Sequence, residues 1–237
     1  MPALEAAVDA LGGPVMSALL ERYAAQRARL DDACRLVGRS PSDVLLLPAS
    51  KGQPVESVQE LANAGCAEFA ESYVQEWREK VAAVDVRWHI IGPLQSNKVR
   101  ELSGQPVALI HTVAREKLVR EIAKRCPGAS ILIQVNVADE ASKSGVAAAD
   151  APALVSAAID AGLDVRGFMA MAPLTEDSTA ARRTFDGLRE LRDATATPGV
   201  PLHTLSMGMS GDLEDAVAAG ATIVRVGTAI FGPRVQA

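Results

Sequence analysis

Along this chain, short apolar runs alternate with segments whose apolar residues return every three or four positions. The first such segment predicts a helix over 17–37. It places Leu20, Tyr23, Ala24, Leu30, Cys34 and Val37 on one face, with Gly38 behind it as a C-terminal cap. The apolar runs that follow are VLLLPA (44–49), AEFAE (67–71), RWHIIG (87–92), VALIHTV (107–113), ILIQVNV (131–137), VRGFMAMA (165–172), HTLSM (203–207) and TIVRVG (222–227). Helical patterns lie between them. One opens at Pro54, presents Val55, Val58, Leu61 and Ala62, and stops at Gly65. Others run from about Asp150 to Gly162, through Phe185, Leu188 and Leu191, and from near Asp212 to Gly220. About eight strand–helix units result, the number that closes a (β/α)8 TIM barrel. The competitor is a doubly wound open sheet, since a linear pattern does not show closure. The count favours the barrel, with one extra N-terminal helix. No Pro/Ser-rich linker interrupts the pattern, so a single domain over 1–237 is expected.

Composition agrees with that architecture. Hydrophobic residues make up 49% of the 237 and aromatics 3%, a core of Leu, Val, Ile and Ala suited to helices packed on a parallel sheet. The net charge is −5 without blocks of like sign, which argues against a nucleic-acid duplex or an anionic membrane as main partner. Cys34, Cys66 and Cys126 are odd in number and lack C-x-x-C spacing, so neither a disulfide framework nor a zinc set is expected. Glu5 and Asp9 stand where a signal peptide needs positive charge, and no apolar run reaches membrane-spanning length. The expected location is cytoplasmic.

The candidate chemistry begins with DVLLLPASKGQP (43–54), an apolar run that stops at a lysine. In such barrels function gathers at the C-terminal ends of the strands, which is where Lys51 falls. A lysine held against an apolar lining has its ammonium form disfavoured, and the free amine is the form that attacks a carbonyl. The last two units have the look of a phosphate site. LSMGMSGDLEDA (205–216) and VRVGTAIFG (224–232) each leave a strand through small residues and enter a helix, offering backbone N–H groups and the hydroxyls of Ser206, Ser210 and Thr228. By strand alternation Arg225 shares a face with Ile223 and Gly227, while Val224 and Val226 point the other way. If that face looks into the barrel, the guanidinium needs an acceptor: a carboxylate in an internal salt bridge, or the ring nitrogen of a heteroaromatic ligand. Lysine, phosphate cradle and arginine together suggest pyridoxal 5'-phosphate.

The chain resembles the YggS/PROSC family of pyridoxal-phosphate-binding proteins, also called pyridoxal phosphate homeostasis proteins. The resemblance runs through SKGQP, FAESYVQEWREK (69–80), WHIIGPLQSNKVREL (88–102), VNVADEASKSG (135–145), GFMAMAP (167–173) and the tail SMGMSGDLEDAVAAGATIVRVGTAIFG. It implies a barrel similar to the barrel domain of alanine racemase, without that enzyme's second domain. Residue by residue, it implies that Lys51 carries the cofactor as a Schiff base. Ser206, Ser210, Gly227 and Thr228 would hold the phosphate, and Arg225 would face the pyridine nitrogen. Two departures stand out. Where the family reads Ser-Lys-Thr-Lys, Gly52 and Gln53 follow Lys51 here, so the second lysine is absent unless Lys143 substitutes for it. Where the family reads FGENYVQE, Ala70 and Ser72 replace a glycine and an asparagine, which implies altered contact with the cofactor ring.

Other residues are weighed against these. His89 reads as a satisfied core or rim histidine, and His111 and His203 lack ligand-like spacing, so no metal site is expected. Gln95, Asn97 and Lys98 open the helix after the third strand and suit a pocket rim or a partner. Met169 and Met171 alternate with Ala170, so one of them is placed beside the ring. The REK and RRTFDGLRELRD charge runs read as solvated helix faces.

An arginine at the pyridine nitrogen keeps that nitrogen unprotonated, which weakens the ring as an electron sink. Racemisation also needs proton-moving groups on both faces of the substrate, and Tyr73 is the one tyrosine near a strand end. The expectation is therefore a non-catalytic carrier and regulator of pyridoxal phosphate, with PLP-dependent apo-enzymes as possible recipients. The alternatives are a PLP-dependent amino-acid racemase or decarboxylase of the alanine racemase barrel type, and an aldolase-like barrel acting on a sugar phosphate. A monomer is expected, because no large exposed apolar stripe stands out.

Overall fold

The structure, a computed structural model, describes residues 16–137, 144–173, 177 and 179–233. Lys143 lies outside the described residues. Nine strands are present among them: β1 (Leu45–Pro48), β2 (Glu68–Glu71), β3 (Arg87–Ile90), β4 (Val107–Val113), β5 (Ser130–Asn136), β6 (Val146–Ala147), β7 (Asp164–Met169), β8 (Thr204–Ser206) and β9 (Ile223–Val226). Eight of them hydrogen-bond in the order β1-β9-β8-β7-β5-β4-β3-β2, and every pairing in that path is parallel. The two ends of the path meet. Ala49 and Ala70 form a parallel bridge, and the Ser50 amide donates to the Ala70 carbonyl at 2.8 Å. This contact closes the ring and excludes the open doubly wound sheet. The two-residue β6 pairs with β5 outside the ring and is too short to leave a period in the sequence.

Helices α1 (Ala18–Leu36), α2 (Val55–Asn63), α3 (Val74–Ala83), α4 (Glu116–Arg125), α5 (Ala151–Asp160), α6 (Ala180–Thr195), α7 (Leu213–Ala218) and α8 (Thr228–Phe231) surround the strands. A 3-10 segment, Ser96–Leu102, stands where a regular helix was expected after β3. Strand alternation divides the apolar residues into two layers. Leu46, Ile131, Phe168, Val224 and Val226 face outward onto the helices, in the large core between strands and helices. Leu47, Ala70, Leu109, Leu132, Met169 and Ile223 face inward and fill the barrel axis. Ile223 therefore places Arg225, two residues on, inside the barrel.

The extra N-terminal helix has a specific place. Its Ser17 cap accepts the Leu20 amide, and its arginines reach the last two units. Arg22 donates to the carbonyls of Ile230 (2.7 Å) and Phe231 (3.1 Å) at the end of α8. Arg29 donates to the Ser210 carbonyl at 2.6 Å, and Arg39, just beyond the end of α1, to the Val217 carbonyl at 2.9 Å near the end of α7. Cations at carbonyl-rich helix ends satisfy acceptors that the helix leaves open. In this way α1 braces both glycine-rich loops from behind.

One backbone approach limits the sequence tightly. Gly167 in β7 has φ 152°, and a Cβ there would lie 1.9 Å from the Thr204 carbonyl oxygen of β8. Gly167→Ala is expected to lower unfolding free energy by roughly 2 kcal/mol or more, through strain and lost β7–β8 pairing. Urea unfolding followed by circular dichroism measures it, and an unchanged midpoint would contradict the close approach.

Candidate functional site

Lys51 sits in the turn after β1, half-buried, between Ser50 and Gly52. Gly52 has φ 66°, a left-handed conformation that glycine adopts freely, so this departure from the family pattern suits the turn it occupies. The turn is fastened from below. The Lys80 ammonium, only 3% exposed, donates to the Ser50 carbonyl (2.7 Å), Glu71 Oε2 (2.6 Å) and Glu76 Oε2 (3.3 Å). Ser50 Oγ donates to Glu71 Oε2 at 2.9 Å, and the Gly52 amide donates to Glu76 Oε2 at 2.7 Å. Glu71 Oε1 accepts the amides of Ser72 (2.6 Å) and Tyr73 (3.2 Å). One buried ion pair thus fixes both the loop that carries Lys51 and the loop that carries Ser72. The expectation that REK is a solvated face fails at Lys80, because Val74, Trp77 and Lys80 recur three apart on the inward stripe of α3. Arg78 and Glu79 are exposed, as expected.

A cavity of about 480 Å³ opens above the strand ends, a size usual for small-molecule sites. Lys51, Gln53 and Ser72 line it together with Ser210, Gly211, Gly227 and Thr228. Strand β1 pairs with β9, so the Lys51 and Gly227 turns are neighbours at its rim. Ile91, Met169 and Met171 supply apolar wall, and Arg225 lies at its base. Both methionines therefore border the cavity, Met169 buried and Met171 exposed. In α8 the Gly227 carbonyl takes the amides of Ile230 (2.9 Å) and Phe231 (3.0 Å), so those of Thr228 and Ala229 have no acceptor within the helix. The Lys51 Nζ lies 4.6 Å from the centroid of the Tyr73 ring, an aromatic neighbour where an apolar lining was expected. Gln53 stands where the family carries its second lysine, and it borders the cavity with an amide. Ala70 turns its methyl into the barrel axis. Gln95 and Asn97 are exposed and do not border the cavity; Lys98 pairs with Glu101 at 2.9 Å.

Arg225 is 5% exposed and bonds to no carboxylate among the described residues. Its Nη1 donates to Ser206 Oγ (2.6 Å) and its Nη2 to the Ala170 carbonyl (3.1 Å). Burial lowers its pKa to about 10, with the charge of Asp212 acting in the opposite direction, so it remains cationic at neutral pH. Ser206 has a different setting from Ser210 and Thr228. Its side chain is fully buried, bonds Arg225 and His111, and does not border the cavity, so it stands apart from the phosphate cradle read from sequence. The reason is strand parity: Leu205 faces the outer core, so Ser206, still within β8, faces the axis.

Sequence spacing also left His89 and His111 unrelated. In the barrel, His111 Nδ1 lies 2.9 Å from Ser206 Oγ, and His111 Nε2 lies 2.9 Å from His89 Nδ1. His89 Nε2 lies 2.8 Å from Glu68 Oε2. Burial holds the His111 pKa well below its ordinary 6.5, helped by the nearby His89 and Arg225. The hydrogen bond from His89 lowers that of Glu68. The signal available in sequence was the parity of VALIHTV, which puts Leu109 and His111 on one face. Among the described residues no group of three metal-ligating side chains forms. No helix among them is long and apolar enough to cross a membrane.

The buried clamp gives a direct prediction. Lys80→Met leaves the Glu71 carboxylate buried without its cation and is expected to cost about 3–5 kcal/mol in urea unfolding. Adding Glu71→Gln, which removes the charge but keeps an acceptor for the Ser72 and Tyr73 amides, should recover part of that loss. A cost under about 1 kcal/mol for Lys80→Met would show that the pair does not hold the turn.

Comparison with known proteins places this geometry. Residues 48–235 match the family described as alanine racemase, N-terminal domain. The chain is 41% identical over 227 residues to the pyridoxal phosphate homeostasis protein of Pseudomonas aeruginosa, covering 92% of this chain and 97% of that one. It is 37% identical over 233 residues to the protein of the same name from Escherichia coli K12, covering 92% and 98%. Among solved structures it is similar to PipY of Synechococcus elongatus PCC7942 with PLP bound, at TM-score 0.74 and 32% identity, covering 90% of this chain and all of that one. The alanine racemase of Clostridium difficile shares the fold at TM-score 0.67 and 13% identity, with 89% of this chain covering 57% of that one. A parallel barrel, a lysine at its rim and relatives alike over nearly their whole length make this chain a member of the pyridoxal phosphate homeostasis protein family, built on the alanine racemase N-terminal fold.

Proposed function

We propose that this chain binds pyridoxal 5'-phosphate in the cavity above β1, β8 and β9 and serves intracellular handling of that cofactor rather than turnover of amino acids. The single observation that carries this reading is the shared cavity, lined at once by Lys51, by Ser210, Gly211, Gly227 and Thr228, and by Arg225. The residues suit the group. A primary amine is available for its aldehyde, amides and hydroxyls for its phosphate, and a buried cation for its ring nitrogen. When bound, the cofactor supplies an electrophilic aldehyde whose condensation with an amine forms a C=N bond and releases one water.

The chain's own residues have separable tasks. The Lys80–Glu71–Glu76 clamp fixes where Lys51 is presented. Thr228 and Ser210 offer hydroxyls beside backbone amides, and α1 holds their loops through Arg22 and Arg29. Arg225 disfavours a proton on a ring nitrogen placed against it, because two adjacent positive charges repel. Lys51 and Arg225 are the titratable groups among the described residues that border the cavity. Racemisation requires a second proton-moving group opposite the first, and this lining favours the carrier over the racemase reading. The names of the relatives point the same way.

Equilibrium titration separates the parts of this reading. Pyridoxal phosphate should bind far more tightly than pyridoxal, which lacks the phosphate. Ser210→Ala combined with Thr228→Val should weaken the phosphorylated form by roughly 10- to 100-fold while barely changing pyridoxal. Equal affinity for the two ligands would remove the cradle from the account. Amino-acid racemisation or decarboxylation at ordinary enzyme rates, of order 1–1,000 per second, would replace the carrier by an enzyme.

A further inference from the structure

The bonds joining Arg225 to Glu68 run through the barrel axis and share one feature: their donors can all point the same way. Arg225 Nη1–H donates to Ser206 Oγ at 2.6 Å. Ser206 Oγ lies 2.9 Å from His111 Nδ1, His111 Nε2 2.9 Å from His89 Nδ1, and His89 Nε2 2.8 Å from Glu68 Oε2. One choice of tautomers lets the hydroxyl donate to His111, His111 to His89 and His89 to Glu68. In this order each imidazole is neutral, with one donor and one acceptor nitrogen. Every bond is satisfied, and the chain begins at a cation and ends at an anion. Bonds aligned in this way polarise one another in a low-dielectric interior. The far end lies in a second, smaller cavity of about 240 Å³, which Glu68 and His89 line together with Arg87, Arg166 and Thr204. Arg87 also lies 3.5 Å from Glu68, as an exposed ion pair.

We propose that Glu68, acting through His89, His111 and Ser206, is a positioning residue for Arg225. It supplies, in addition to the charge of Asp212, a distant counter-charge relayed through hydrogen bonds that orients the guanidinium toward the cofactor's ring nitrogen. The proposal rests on the cofactor reading given under Proposed function. It assigns the two histidines and Ser206 a joint task that neither packing nor phosphate binding explains. Two of the five guanidinium N–H groups are committed, one to Ser206 and one to the Ala170 carbonyl, so the plane of the guanidinium is set from inside the barrel. Without the chain, the Ser206 hydroxyl is free to rotate and its oxygen no longer presents a fixed acceptor to Arg225, so the group that meets the ring loses its fixed angle.

The test uses the full chain loaded with pyridoxal phosphate. Glu68→Gln removes the charge but keeps an oxygen for the His89 N–H. It should leave fold and borohydride labelling of Lys51 intact, displace the visible absorption band of the bound cofactor, and raise the cofactor off-rate about five- to tenfold. Ser206→Ala cuts the chain next to Arg225 and should do at least as much. The double variant should match Ser206→Ala alone, because a severed chain has nothing left to transmit. Arg87→Gln, which removes the other partner of Glu68, should change neither band nor off-rate. If Glu68→Gln does not fold, His89→Gln interrupts the same chain and must displace the band likewise. A wild-type band and off-rate in Glu68→Gln, or in His89→Gln, overturns the proposal. So does simple addition of the Glu68 and Ser206 effects. A wild-type chain that binds no pyridoxal phosphate brings down the cofactor reading and this proposal together, whereas labelled Lys51 with an unmoved band brings down the proposal alone.

Discussion

A guanidinium withdrawn from water has to be answered by acceptors, and the interior of this barrel is arranged around that demand. Arg225 projects from β9 into an axis otherwise filled by Leu47, Ala70, Leu109, Leu132, Met169 and Ile223. An isolated charge there is costly unless hydrogen-bonded. The barrel meets the cost with Ser206, the Ala170 carbonyl and the two histidines behind them, and it leaves the remaining face of the cation turned to the cavity. The same rule operates at the rim. Lys80 is buried under the Lys51 turn, and its charge is matched by Glu71 and Glu76. Two lysines 29 positions apart in sequence therefore have opposite environments: Lys80 is committed to structural partners, and Lys51 borders open space.

These polar groups connect fold to site. Closure at Ala49–Ala70 brings β1 beside β2, so the loops bearing Lys51 and Ser72 become neighbours and share one carboxylate, Glu71. Next to β1 in the ring, the loops after β8 and β9 are held by α1 through Arg22 and Arg29. The cavity is thus held by long-range contacts, while its lining residues come from short glycine-rich turns.

Most of the scaffold was legible because strands and helices differ in hydrophobic period. Runs such as VALIHTV gave β4 from its first residue to its last, and the helices ended close to their glycines. That Lys51, Ser210, Gly227, Thr228 and Arg225 come together around one cavity could be expected because the barrel gathers strand ends at one face. What escaped notice depended on partners distant in sequence. Lys80 looked like one more surface charge until Ser50 and Glu71 were placed beneath it. His89 and His111 carry no spacing signal, since β3–β4 pairing and not sequence distance brings them together. Ser206, the last residue of β8, faces the barrel axis and does not line the cavity with Ser210, a difference that strand parity sets and loop composition does not show.

All of this converges on one nitrogen atom. The most direct measurement is reduction of the pyridoxal-phosphate-loaded protein with borohydride, followed by peptide mapping of the fixed label. The account predicts a yellow protein before reduction and a single modified residue, Lys51. Label on Lys80 or any other lysine, or a protein with no chromophore to reduce, would contradict it.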